Sequence, residues 1–363
     1  MTVFNRENSG WKTKKYPLFL GEELGVYDAV NQPYPRLFEL YKLQKSMDWS
    51  EDEVDLSKAR ADMKTCNKSE YEAMLLTLGY QLELDSIASR SVAPLIAPFV
   101  TNSELWTLLM KISEIENLHS LTYSEIIRQC LPNPDELFEI VTDTDQITSR
   151  ATTVHRVFDD FKKISGLKTA GSLDISKNEQ RKHILKFMVA LYALEGVEFM
   201  ASFAVTFNLA ERGMFIPIAQ LVQKIANDEM VHYTSDREVL KILMSDPEWA
   251  ESFKEVKEDA KKILDEVIEQ EFAWSEFLFS GDRQLTGLNK TLLDEWVLYR
   301  ANPLYKFLDL QYDYETISEN PLMWMDNWLD QNKQQSAPQE MSVTNYQLNS
   351  VKNDIQDDFE FEL

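Results

Sequence analysis

The chain has 363 residues with 61 Asp+Glu against 37 Lys+Arg and 4 His, a formal net charge of −24, yet 44% of it is hydrophobic. That apolar fraction excludes wholesale disorder, and the acidity argues against nucleic acid as a partner, because phosphate binding needs clustered Lys and Arg. Ten glycines supply neither a Gly-rich phosphate loop nor the turns of a many-stranded β protein, and Cys66 and Cys130 form no CxxC pair or disulfide framework, as befits a reducing cytoplasm.

In chain order, the N-terminal MTVFNRENSGWKTKK lacks the apolar core of a signal peptide and reads as a cytoplasmic start. Helical periodicity then predicts long helices over Tyr34–Met47, Glu70–Ser91, Asn102–Gln129, Ile147–Ile164, Lys177–Arg212, Phe215–Met244, Trp249–Phe279 and Asn289–Leu310. Polar breaks such as Leu131-Pro-Asn-Pro-Asp135 and Gly281-Asp-Arg283 separate them. Helices of this length imply an all-α bundle with an elongated shared core. Phe187–Leu209 is long enough to span a bilayer, but Glu195 and Glu198 lie near its centre, where carboxylates are costly. It is read as a buried helix of a soluble protein, with no membrane partner.

Composition shifts after about Gln331. Residues 336–363 carry six acids and one base, Lys352, and their apolar residues follow no period. The expectation is a helical domain over 1–335 and a flexible acidic tail over 336–363. Phe359, Phe361 and Leu363 give the tail an apolar end of the kind a docking peptide keeps.

Two of the four histidines follow a glutamate by three residues, in Glu116-Asn-Leu-His119 and Glu229-Met-Val-His232. At helical spacing each pair can aim a carboxylate and an imidazole at one point. Asp85 precedes Glu116 by 31 residues and Glu195 precedes Glu229 by 34, both inside otherwise apolar helices. One unit, a buried acid followed by ExxH, is therefore stated twice. Four carboxylates and two imidazoles from four helices make the di-metal carboxylate arrangement of ferritin-like bundles. Such ligands suit iron or manganese and leave room for oxygen. His155 and His183 have no acid three residues before them and read as surface histidines. Glu198, one turn after Glu195, either approaches the site or pairs elsewhere. Tyr123 lies one turn after His119 on the same face; the matching position after His232 is Asp236. Phe199, Phe203 and Ile225 have spacings that could wall Tyr123 off from water, which fits a protected oxidisable phenol and also fits core packing.

The segments LELDSIASR, EIENLHSLTYSEIIR, ALEGVEFMASFAVTF and IANDEMVHYTSD resemble the metal-site segments of class I ribonucleotide reductase small (beta) subunits, of the kind found in enterobacteria and their large phages. The similarity runs in order from about Leu18 to Leu363. Carried over by position, it implies metal ligands Asp85, Glu116, His119, Glu195, Glu229 and His232. It also implies a stable radical on Tyr123, whose pocket Phe199, Phe203 and Ile225 would line. Trp49 matches the family's radical-transfer tryptophan and Asp228 the acid that links it to a metal-bound histidine. In the tail, Glu340 and Tyr346 match residues that relay the radical to the large (alpha) subunit, and Phe361-Glu-Leu363 resembles the anchor to that subunit. Asn227 and Glu198 stand where relatives often have arginine.

What the resemblance implies is the small subunit of a ribonucleoside-diphosphate reductase, working in the cytoplasm (the host's, if phage-encoded). Two iron ions and oxygen would generate the radical, with manganese or a mixed pair compatible with the same ligands. The partners would be a second copy, giving a homodimer, and the large subunit. A ferritin-like ferroxidase or di-iron oxidase would share the six ligands but would need neither Tyr123 and Trp49 nor a tail carrying Tyr346. A non-enzymatic helical scaffold would not explain the two matched units.

Overall fold

The computed structural model describes residues 2–330; residues 331–363, and with them the expected boundary at 335/336, Glu340, Tyr346 and the apolar end, lie outside the described residues. In chain order the helices are α1 (Gly10–Thr13), α2 (Pro35–Ser46), α3 (Ser57–Thr65), α4 (Lys68–Ile96), α5 (Ser103–Cys130), α6 (Pro134–Asp143), α7 (Asp145–Arg150) and α8 (Thr152–Thr169). There follow α9 (Lys177–Ala193), a widened π-helical turn (Leu194–Glu198), α10 (Phe199–Glu211), α11 (Ile216–Ser245), α12 (Pro247–Leu278), α13 (Lys290–Phe307) and α14 (Met325–Trp328). All belong to one unit that ends at Leu329. Among the described residues the only β pairings are isolated bridges, one of which ties Phe19 to Val100. The fold is an all-α, ferritin-like bundle, as expected.

Helices α4, α5, α9, α12 and α13 each start on a residue whose side chain satisfies a free N–H group. Asn67 and Glu70 form a reciprocal capping box at 3.0 and 3.1 Å, which starts α4 two residues before the periodicity does. Asn102 caps α5 through Leu105 N–H at 2.8 Å, Ser176 caps α9 through Glu179 N–H at 3.1 Å, and Asn289 caps α13 through Leu292 N–H at 3.0 Å. Phe215, before α11, sits in the left-handed region at φ 55°, and its N–H donates to Asp62 Oδ2 at 2.8 Å.

Four features differ from the sequence expectation. Helix α4 runs on to Ile96 through Pro94, which lies in its last turn, where little ladder remains to be lost. Helices α3 and α6 are additional; α3 buries only Ala59 and Met63 in a polar sequence, whereas α6 carries a short apolar stripe in which Leu137 is buried and Ile140 and Val141 pack partly on the core. The helix expected over Ile147–Ile164 is two, α7 and α8, parted at Ala151. The helix expected over Lys177–Arg212 is continuous but carries the widened turn at its middle.

Helices α4, α5, α10 and α11 enclose the core: α4 packs on α5, and α10 on both α4 and α11. Helix α12 lies along α9, and α13 packs on α12 and α10. Among the described residues, the one helix long and apolar enough to span a membrane, Lys177–Glu211, has its apolar window wholly buried in the bundle. Behind the core, Arg150 makes a bidentate pair with Glu271 at 2.6 and 2.5 Å, and its guanidinium lies 3.5 Å over the Tyr80 ring. Such a fork-to-fork pair, stacked on an aromatic face, is how a buried arginine is satisfied.

Candidate metal centre

The bundle brings all six expected ligand side chains to one place. Asp85 comes from α4, Glu116 and His119 from α5, Glu195 from the widened turn, and Glu229 and His232 from α11; all are buried. Their ligand atoms fall into two overlapping groups, each within 4.8 Å internally: Asp85, Glu116, His119 and Glu229, and Glu116, Glu195, Glu229 and His232. Glu116 and Glu229, the acids of the two ExxH pairs, belong to both groups. That is the topology of a two-ion site in which two carboxylates bridge and each end has its own acid and imidazole.

The short contacts agree. His119 Nδ1 lies 3.0 Å from Glu229 Oε1 and 3.4 Å from Asp85 Oδ1. His232 Nδ1 lies 2.8 Å from Glu229 Oε2 and 2.9 Å from Glu116 Oε1. Each imidazole thus turns the same nitrogen inward, toward carboxylates of both ExxH pairs. Both oxygens of Glu195 and both of Asp85 are buried without a hydrogen-bond donor. Orphaned buried carboxylates are expensive in an apolar core unless cations meet them. Four carboxylates match the charge of two divalent ions, and the oxygen and imidazole donors suit iron or manganese. The residues fit a dinuclear centre.

Electrostatics without ions show the same need. Burial pushes Asp85 and Glu195 well above the usual carboxylate range, and neighbouring Glu116 and Glu229 add to it. Burial alone would lower both histidines, but Glu229 and the other acids around them dominate: His119 lies well above its ordinary value, and His232 is pushed up to about 10. Burial also raises Glu229, yet His119 and His232 overcome it and hold this carboxyl below the usual range. Opposed shifts of this kind mark a cluster whose carboxylates lack full charge balance from the protein's own groups.

On the far side of His119, its Nε2 faces Asp228 Oδ2 at 3.1 Å. The same carboxylate accepts the Trp49 indole N–H at 2.7 Å and the Gln44 amide at 2.6 Å. Trp49, in the loop after α2, is buried, with its ring centroid 6.2 Å from that of His119 and Lys224 Nζ 5.9 Å over its face. A hydrogen-bonded line thus runs from the buried centre to the Trp49 indole. Sequence reasoning missed Gln44; its only mark is a polar residue on the buried face of α2.

Tyr123 is fully buried, with no hydrogen-bond partner for its hydroxyl, and burial first, then Asp85, pushes the phenol well above its ordinary value. Phe199, Phe203 and Ile225 are buried in the same apolar cluster, and the two phenylalanine rings stack at 5.8 Å. Asp236, at the position matching Tyr123 on α11, is also buried. His155 is exposed as expected; His183 is half-buried and lines a groove with Phe161 and Ile263.

The sequence profile of the family "Ribonucleotide reductase, small chain" matches residues 27–321. The chain belongs to the ribonucleotide reductase small-chain family. Similar relatives include ribonucleoside-diphosphate reductase 1 subunit beta of Escherichia coli O157:H7, 30% identical with 95% of this chain and 94% of that one covered. The subunit beta of Haemophilus influenzae is 31% identical over 94% of each chain, and that of Enterobacteria phage T4 is 26% identical, also over 94% of each. Among solved structures, the ribonucleotide reductase R2 subunit of Clostridium botulinum superposes with a TM-score of 0.79 at 20% identity, covering 91% of this chain and 98% of that one. The dimanganese(II)-NrdF of Streptococcus sanguinis gives 0.66 at 17% identity, covering 84% and 99%. As a ribonucleotide reductase small chain, this protein is an oxidoreductase subunit that serves ribonucleotide reduction, and its buried carboxylate–histidine cluster is the family's di-metal site.

The two departures from the family pattern resolve differently in this small chain. Glu198 is fully buried and belongs to neither metal group. Its charged neighbours are Glu271, Arg150 and Glu83; burial and then Glu271 raise its carboxyl well above the usual range, against the pull of Arg150. Asn227 is buried and its amide donates to Gln223 O at 2.9 Å. Replacing Asp228 by Asn leaves one of its three donors facing an amide N–H. The expected cost is about 1–3 kcal/mol of folding stability in urea denaturation of the metal-free protein; an unchanged midpoint would contradict the shared-acceptor geometry.

Proposed function

We propose that this chain generates and stores a radical on Tyr123 and passes it outward through Trp49 to the large subunit of a ribonucleoside-diphosphate reductase. The observation that carries the reading is the coupling of two interlocked carboxylate–histidine groups to a buried tryptophan, Trp49, through a single acid, Asp228. Asp85, Glu116, His119 and Glu229 would hold one ion, and Glu116, Glu195, Glu229 and His232 would hold the other. When bound and reduced, the metal pair supplies the oxygen-driven one-electron oxidising power; iron is the proposed metal, and manganese suits the same donors.

The protein's part is positioning and protection. Oxidation of Tyr123 to a neutral radical removes one electron and one proton. Burial without a hydrogen-bond partner keeps water and reductants from the phenol, and Phe199, Phe203 and Ile225 extend that dry wall. Asp228 holds the Trp49 indole and His119 in fixed relation, so a proton leaving the indole nitrogen as Trp49 gives up an electron meets an acceptor 2.7 Å away. Beyond Trp49, the segment 336–363 docks on the large subunit, with Tyr346 and Glu340 in the relay and Phe361-Glu-Leu363 as the anchor. This chain offers no CxxC pair to complete ribose reduction, so the reducing cysteines belong to the partner. Met110 and Leu121 leave apolar side chains exposed along α5, which supports a homodimer.

Two experiments test this reading. In protein reconstituted with Fe(II) and oxygen, Tyr123→Phe should keep both metal equivalents and lose the tyrosyl EPR signal; an unchanged signal would overturn the assignment. Deleting residues 336–363 should leave that signal intact and abolish large-subunit binding by surface plasmon resonance, whereas retained binding would remove the docking role.

A further inference from the structure

The widened turn that carries Glu195 is met from outside by two side chains of α13. Trp296 and Arg300, four residues apart and so on one face, donate to two carbonyls that are also four residues apart: Trp296 Nε1 to Met200 O at 2.9 Å, and Arg300 Nε to Gly196 O at 3.2 Å. The guanidinium carbon lies 5.8 Å from the Trp296 ring and 5.7 Å from that of Tyr233, and Nη2 lies 3.8 Å from Met230 Sδ. Met230 follows Glu229, Tyr233 follows His232, and Gly196 follows Glu195. One arginine thus touches the chain neighbours of three of the four residues in the second metal group.

Arg300 makes no ion pair among the described residues, although the chain carries 61 acids. Its donors serve a carbonyl and a sulfur instead. A π-helical turn needs such a donor: stretching the ladder from i−4 to i−5 and returning passes over one carbonyl, and a buried carbonyl must find a partner. Without one, the turn can relax to regular α-spacing. That removes one residue from the turn and swings the helix before it by about 100° relative to the helix after it. Glu195 would then leave the second group. Gly196 fits the same scheme, since a Cβ there would lie 3.0 Å from the Tyr233 ring and 3.2 Å from Leu304.

We infer that Arg300 is a positioning residue: its Nε–H bond to the Gly196 carbonyl holds the widened turn open and aims Glu195 at the second metal position. The inference rests on the two-ion reading of the site. Its test uses a pair of variants that differ in one donor. Arg300→Gln places an amide N–H where Nε lay; Arg300→Met places a methyl group there.

Full-length, metal-free protein is titrated with Mn(II), and free Mn(II) is read from its six-line EPR signal, with helix content followed by circular dichroism. Wild type and Arg300→Gln should each bind two ions per chain. Arg300→Met should keep one tight site and bind the second ion about 10- to 100-fold more weakly, the range for loss of a group that supports a ligand. Two ions at wild-type affinity in Arg300→Met would overturn the inference, as would equal losses in both variants. Loss of both ions together with helix content in Arg300→Met would reduce Arg300 to a general structural role and overturn it too. If wild type itself binds fewer than two ions, the two-ion reading falls, and the clamp with it.

Discussion

Four carboxylates buried in an apolar bundle are the constraint around which this molecule is arranged. Asp85, Glu116, Glu195 and Glu229 converge where water cannot solvate them, and protein donors satisfy only part of their demand. A core acid without a counter-charge either takes up a proton or destabilises the fold. The two histidines hold Glu229 low, but His119 only partly offsets the burial of Asp85 and neither histidine offsets that of Glu195, so the site is suited to completion by cations. The surrounding architecture serves that end: capped, rigid helices fix the ligand directions, and the two ExxH pairs supply the shared carboxylates.

The same constraint explains how charge is handled elsewhere in the core. Arg150 is spent on Glu271 and stacks on Tyr80, leaving Glu198 as an additional acid in a region with one buried cation. Glu198 belongs to neither metal group, and burial and Glu271 raise its carboxyl well above the usual range, although it follows Glu195 by three residues. In a regular helix that spacing would put both acids on one face; the widened turn between them is what separates their directions. On the other side of the centre, Asp228 is stabilised by three donors and ties a metal-group histidine to Trp49. One carboxylate thus joins the buried ligand cluster to the Trp49 indole by hydrogen bonds.

Much of this was legible in the sequence because it depends on local periodicity. Acids inside apolar helices and the doubled ExxH spacing named the six clustered side chains, and Trp49 and Asp228 followed from the family resemblance; the structure brings these eight together. Less legible were features set by partners distant in sequence. Gln44 meets Asp228 across 184 residues, and Arg150 meets Glu271 across 121, so no window of sequence contains either pair. Arg300 reads as one more charged residue on a helix, and its role emerges only when α13 lies against the widened turn. That turn was itself invisible, since an apolar run such as ALEGVEFMA has no polar stripe whose phase would reveal an extra residue. Helix α3 is hard to read because only Ala59 and Met63 mark its buried face, whereas α6 does carry a short apolar stripe of Leu137, Ile140 and Val141.

The central claim is that the two overlapping ligand groups form one dinuclear centre. The most direct measurement is anomalous diffraction at the metal absorption edge from crystals loaded with Fe(II) or Mn(II). The account requires two peaks per chain, one among Asp85, Glu116, His119 and Glu229 and the other among Glu116, Glu195, Glu229 and His232, with Glu116 and Glu229 touching both. A single peak, or peaks that leave Glu195 and His232 unliganded, would contradict it.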